Sequence, residues 1–175
     1  MNNAAKTVFK WFWAWEDEKE EAWLRQMSQA GWHLQKVRFP TLYRFQAGEP
    51  RDYVYRLDFH RDRKDHAAYL QLFQDAGWAH LGEYASWQYF RIEAQGGQAP
   101  EIYSDTASKL QKYQRVLAVQ VALLPVVLIG ITRLNTNPDL FLVVMTFVWF
   151  ILFVAYMYAL IMMLRRVQQL KKLVK

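Results

Sequence analysis

The feature that most restricts this fold is a run of 25 residues, 140–164, in which Thr146 is the sole clearly polar side chain. A helix apolar on every face for that length is not an ordinary core helix of a small domain, and it can cross a hydrocarbon layer of about 30 Å. A second run, 116–132, has 17 residues with only Gln120 and Thr132 polar, enough to cross with little to spare. Both are expected to be helical, because an isolated strand would leave backbone groups unpaired in lipid. Pro125 and Gly130 lie in the first run, where proline frees the carbonyl four residues back and favours a kink. Asn135, Asn137 and Pro138 between the runs are turn formers, so a transmembrane helical hairpin is expected.

Charge sets the expected orientation. The net charge is +6, and residues 1–100 hold 13 basic and 13 acidic side chains, so the whole excess lies in 101–175, with 9 against 3. Lys109, Lys112 and Arg115 precede the first run, and Arg165, Arg166, Lys171, Lys172 and Lys175 follow the second, whereas only Arg133, offset by Asp139, lies between them. The positive-inside bias puts both termini in the cytoplasm and 135–138 outside. The charges at 16–21 interrupt any signal-peptide core near the start, which agrees with a cytoplasmic front half. The basic excess is a membrane flank, and no direct nucleic-acid partner is expected. Zero cysteine excludes a disulfide scaffold, thiol catalysis and Cys-ligated zinc.

The front half carries an internal repeat with a period of 46 residues. Ala22, Leu24, Ala30, Gly31 and Trp32 recur as Ala68, Leu70, Ala76, Gly77 and Trp78, and Tyr43 aligns with Tyr89. Each unit reads strand, helix, strand, strand. Phe9, Trp11, Trp13 and Trp15 alternate as a half-buried strand should, as do Tyr53, Tyr55, Leu57 and Phe59. Trp23, Leu24, Met27 and Ala30 share one helical face, matched by Tyr69, Leu70, Phe73 and Ala76. Asp17 with Glu20 forms a capping-box pattern, and Gly31 and Gly77 sit where left-handed residues end helices. The expected fold is α+β: duplicated units, 8–46 and 54–92, forming a ferredoxin-like two-layer sandwich with both helices on one face of the sheet. The domain plan is 1–93, a linker at 94–104 with Ser104 or Asp105 capping the next helix, and the hairpin with its basic tail at 105–175.

Chemistry-bearing motifs are sparse. Asp58, His60, Asp62, Asp65 and His66 are of metal-ligand type, but they straddle a strand end and a helix start among Arg61, Arg63 and Lys64, as a solvated turn with capping acids would. No zinc motif, phosphate loop or nucleophile elbow occurs, so no catalytic, metal or cofactor residue is assigned and a non-enzymatic role is expected. Seven of eight tryptophans lie within the first 90 residues. Most would fill the core of a small domain. Trp15 and Trp87, at the helix start and the hairpin turn, are the candidate recognition surface for an apolar ligand or partner. Arg165, Arg166, Lys171 and Lys172 surround a stripe of Leu164, Val167, Leu170 and Val174. They read as stop-transfer charges and as candidate contacts for anionic lipid or a partner helix.

The run from Phe9 through Trp11, Trp13 and Trp15 to Leu24, with Gly31-Trp32, Gly48-Glu49-Pro50-Arg51, Tyr55 to Phe59 and Gly77-Trp78, resembles a family of small membrane proteins of Gram-positive bacteria. That family is described only as a domain of unknown function, and its members are often encoded beside PadR-type repressors. The resemblance spans most of 8–92 and carries no catalytic residues. It implies a regulatory membrane protein with a PadR-type repressor as partner. An accessory subunit of a membrane transporter is the alternative, and an enzyme acting at the membrane surface ranks third.

Overall fold

Six short strands and two helices alternate through the front of the chain in the order set by its aromatic and apolar periodicity. The computed structural model describes residues 4–39, 41–94, 100–103, 106–132 and 140–174, with the backbone alone at 129–132 and 140–142. The turn residue Pro40, the linker at 95–99, the caps Ser104 and Asp105, the inter-helix turn at 133–139 and Lys175 lie outside the described residues. The chain divides into two compact units, Met1–Asp105 and Thr106–Lys175.

The first unit comprises β1 (Ala5–Phe9), α1 (Asp17–Gln29), β2 (Trp32–Arg38), β3 (Leu42–Ala47), β4 (Tyr53–Phe59), α2 (His66–Asp75), β5 (Ala79–Tyr84) and β6 (Trp87–Glu93). The strands form two antiparallel sheets, β1-β3-β2 and β4-β6-β5. Each sheet has its third strand in the middle, and each carries a bulge at positions one repeat period apart, Leu34/Lys36 and His80/Gly82. Gly31 and Gly77 follow the two helices at φ +79 and +86, the left-handed conformation expected of them.

The core is shared between the sheets. Leu24 of α1, Leu34, Tyr43 and Phe45 of the first sheet, and Tyr55, Leu57 and Tyr89 of the second form one buried cluster. Val54 and Phe90 point to the opposite face of the second sheet, where Trp78, Tyr69, Leu70 and Phe73 pack on them. The two helices therefore meet opposite faces of the second sheet, and the six strands do not join into one. The expected single sheet with both helices on one side is replaced by this arrangement because α1 has a second task. β4 is an edge strand, and α1 lies along it. Glu21 Oε1 accepts the Leu57 N–H at 2.8 Å, Ser28 Oγ accepts the Tyr53 N–H at 3.3 Å, and the Ser28 carbonyl accepts the Arg51 N–H at 3.1 Å. A helix covers the sheet edge where another strand would otherwise pair.

Three local expectations need correction. The first strand stops at Phe9, paired with Leu42, the first residue of β3, so Trp11, Trp13 and Trp15 have no strand to pair with. The capping box does not form, because Glu16 is the N-cap and Glu20 turns inward. Tyr43 and Tyr89 are not equivalent: the first hairpin closes at Arg38 and Leu42, the second at Tyr84 and Trp87, one residue tighter. That makes Phe45 the counterpart of Phe90, and each packs on its own helix, Phe45 on Trp23 and Phe90 on Phe73. Trp32 and Trp78 also differ, since Trp78 is buried while Trp32 is half-buried under the Lys6 ammonium, 4.0 Å from its ring.

The second unit is α3 (Thr106–Thr132), with Pro125 inside it, and α4 (Leu140–Val174). They pack against each other in opposite directions. Trp149 Nε1 donates to the Val127 carbonyl at 3.1 Å, Tyr156 donates to the Gln120 carbonyl, and Arg166 lies over the Tyr113 ring. Among the described residues one helix, Val143–Val174, is long and apolar enough to cross a membrane, its most apolar stretch having a mean hydropathy of 2.4.

Candidate functional site

The aromatic segment after β1 is tied at its far end by Glu16, whose carboxylate accepts the Trp13 N–H at 3.2 Å and the Lys19 ammonium at 2.7 Å. The Lys19 contact holds the Glu16 carboxyl below its usual range. Between these limits the indoles stack, Trp11 edge-on to Trp13 at 5.6 Å and Trp13 face-on to Trp15 at 5.1 Å. The β5–β6 hairpin brings Tyr84 and Trp87 to the same place. Its two turn residues, Ala85 at φ +50 and Ser86 at φ +67, are both left-handed without being glycine, as a turn matched to strand twist requires. Thr41, in the other hairpin, stands at φ +78, a strained position for a β-branched residue. Thr41 and Ala85 both line the cleft that these elements enclose, which puts backbone strain where functional sites often hold it.

The cleft has a volume of about 210 Å³. Trp11, Phe12, Trp13, Phe39, Tyr84 and Trp87 form its walls, and Asp17, Glu20, Tyr43, Leu57 and Tyr89 are among the other lining residues. Glu20 is 7% exposed. Its Oε1 accepts the Tyr43 hydroxyl at 2.7 Å and the Tyr89 hydroxyl at 2.8 Å. Burial raises the Glu20 carboxyl from 4.5 to about 7; the two tyrosine hydrogen bonds oppose that rise, and neighbouring Asp17 adds to it. Burial and the same carboxylate push the Tyr43 and Tyr89 phenols well above their usual range. The site is an aromatic box with a carboxyl group that changes charge near neutral pH.

Of the two candidate tryptophans, Trp87 lines the cleft and Trp15 does not, standing as the last ring of the indole stack. The metal-type cluster is dispersed: Asp58 accepts the hydroxyls of Tyr69 and Tyr103, Asp62 accepts the Lys64 N–H, and His60 stacks on Tyr69 at 3.8 Å. Among the described residues no three His, Asp or Glu side chains gather as a metal site. At the basic end of α4, Arg165, Lys171 and Lys172 are exposed, while Arg166 is half-buried and its guanidinium donates to the Tyr113 hydroxyl at 3.4 Å. The buried stripe there is Met163, Val167 and Leu170; Leu164 and Val174 of the expected stripe are exposed.

A family model described as a protein of unknown function, DUF2812, matches residues 16–125. The chain belongs to the DUF2812 family. The DUF2812 match begins at Glu16 and takes in Glu20, Tyr43, Tyr84, Trp87 and Tyr89, while Trp11, Trp13 and α4 lie beyond it. No curated protein and no solved structure matches the chain significantly.

Sequence reasoning assigns Glu20 to a helix cap and Tyr43 and Tyr89 to the repeat, and places none of them, nor Tyr84, in a site. One signal for Glu20 was available: Asp17, then the adjacent pair Glu20 and Glu21, then Leu24 and Ser28, at three- to four-residue steps, are the buried stripe of α1. A stripe headed by acids reads as a solvated face until something is found to bury it.

Proposed function

We propose that the protein is a non-enzymatic sensory or regulatory module of the cell membrane, whose front unit takes a small amphipathic ligand in the aromatic cleft. The observation that carries this reading is the cleft itself, with aromatic walls converging on one buried, hydrogen-bonded carboxyl group. Membrane residence is supported by α4, whose most apolar stretch is only 17% buried, as a lipid-facing helix would be and a soluble core helix would not. In this reading α3 is the second span, both termini are cytoplasmic, and the front unit is a tandem copy of one strand–helix–strand–strand element. A PadR-type repressor is the proposed partner, and ligand occupancy would be read out through it.

The test is quenching of tryptophan fluorescence on the full chain in lipid nanodiscs, titrated with neutral, anionic and cationic amphiphiles. At least one class should bind, and Trp87→Ala should weaken it by about 30-fold, as loss of an aromatic hot spot does. No binding by any class, or unchanged binding by Trp87→Ala, would remove the reading.

A second reading, an accessory subunit of a membrane transporter, draws on the contacts of Trp149 and Tyr156 with α3 carbonyls within the apolar stretch. Such contacts fix a specific helix pair on which a further membrane helix could pack. Crosslinking in native membranes separates the two: a transporter partner depends on the helices, and a repressor partner on the front unit.

A further inference from the structure

We propose that the cleft selects an organic cation, an amine or quaternary ammonium bearing an apolar group, with Glu20 as its counter-charge. This deepens the reading of the cleft as a ligand site and rests on it. Three independent features of the cleft lead to this ligand class.

The walls come first. Indole and phenol faces carry negative electrostatic potential, and Trp11, Trp13, Tyr84 and Trp87 line one small volume. Enclosure of a trimethylammonium-sized group by such faces is the usual solution to binding a weakly hydrated cation. The rim is apolar as well: Trp11 is 54% exposed and Phe39 82%. That surface would receive the apolar group attached to the charge.

The floor is anionic. Both tyrosine hydroxyls donate to Glu20 Oε1, and Oε2 has no hydrogen-bond partner among the described residues. A second carboxylate, Asp17, lines the same cleft, and no described lining residue is basic. Lys10 lies nearby, resting on the Phe12 and Trp23 rings, outside the lining set. An anionic ligand would be repelled, and a neutral one would leave the ionised carboxylate desolvated. A cation compensates that charge in place, and its cost of desolvation is shared with the aromatic faces.

The size of the cleft fits the same class. About 210 Å³ holds a compact head group rather than a large cofactor. The groups facing Glu20 are Asp17 on its own helix, Tyr43 from β3 and Tyr89 from β6, with Tyr84 across the cleft. Burial holds the Tyr43 and Tyr89 phenols well above the neutral range, so a change in cation affinity there reports Glu20.

The probes are benzyltrimethylammonium, which carries its charge at every pH, its neutral isostere neopentylbenzene, and the anion phenylacetate. Each is titrated against the full chain in nanodiscs at pH 8 and pH 5.5. The cation should bind at least about 10-fold more tightly than the isostere at pH 8, and should lose about 10-fold or more at pH 5.5 as the competent, ionised fraction falls. Glu20→Gln should abolish both the preference and the pH dependence, and should let the isostere bind more tightly at pH 8, where no ionised carboxylate is left to desolvate. Equal binding of cation and isostere at pH 8, or a cation preference that survives Glu20→Gln, overturns the proposal while the cleft remains a ligand site. Binding of neither probe at pH 8 also overturns it, and only failure of the wider amphiphile series with it removes the ligand site. The pH arm on the unmodified chain decides the matter even if the variant folds poorly.

Discussion

Replacing Glu20 by Gln should make the front unit more stable in mildly alkaline buffer and nearly insensitive to pH around neutrality. The carboxyl ionises near 4.5 when the chain is unfolded and near 7 when it is folded. Below 4.5 both states hold the proton. Between the two values only the folded state holds it, so stability falls as pH rises, and above about 7 the loss is complete. At about 1.4 kcal/mol per pH unit, the interval from 4.5 to about 7 corresponds to about 3 kcal/mol. Glutamine keeps a carbonyl oxygen for the Tyr43 and Tyr89 hydroxyls but introduces an amide that must find an acceptor, at about 1 kcal/mol. The variant should therefore be about 2 kcal/mol more stable than the parent at pH 8 and about equal to it at pH 5, where the parent has already lost close to 1 kcal/mol. Urea unfolding in nanodiscs, followed by tryptophan fluorescence, reports this unit selectively, because seven of the eight tryptophans lie in the first 90 residues. Glu16 and Asp52, whose carboxyls their partners Lys19 and Arg25 hold low, titrate identically in both proteins and cancel in the difference. Parallel stability profiles from pH 5 to 8 would refute the account of Glu20 as a buried, weakly stabilised carboxylate.

Further outcomes follow from the same geometry. Gly31→Ala should cost about 2 kcal/mol or more, and Gly77→Ala about 1 kcal/mol, because a Cβ at Gly31 would stand 2.8 Å from the Gly48 carbonyl oxygen whereas at Gly77 it meets only the Ile92 side chain at 3.4 Å; denaturation midpoints of the two variants check the order. Trp78→Ala should lose about 3–5 kcal/mol of stability as a core truncation, whereas Trp87→Ala should lose ligand affinity with the fold retained; thermal unfolding and fluorescence titration on the same samples tell them apart. Reporter fusions at residues 1 and 175 should report the cytoplasm and an insertion at 135–138 the outside, and an external front unit would overturn the proposed topology.

The elements were legible from local pattern and the site was not. Alternation at Tyr53, Tyr55, Leu57 and Phe59 gave a strand where β4 lies, and the repeated Gly-Trp pairs gave the two helix ends. Alternation misled at Trp11, Trp13 and Trp15, because a strand also needs a partner and β3 starts only at Leu42. The repeat located both hairpins but missed the one-residue difference between them, which shifts the counterpart of Phe90 from Arg44 to Phe45. The cleft draws on the segment after β1, the first turn of α1, the β2–β3 hairpin, β4 and the β5–β6 hairpin. Their convergence depends on how two sheets share a core, and no short window of sequence carries that information.

The contact between α1 and β4 has a consequence for self-association. A sheet edge closed by another strand is sealed by a ladder of backbone bonds, whereas this one is closed by two side chains, Glu21 and Ser28, reaching Leu57 and Tyr53. Side-chain closure can be undone by substitution without altering the strand. Truncating both residues would leave alternate N–H groups of β4 facing outward from Tyr53 to Leu57, a template to which the same strand of another molecule could add. Helix α1 thus closes the β4 edge against strand addition by another copy.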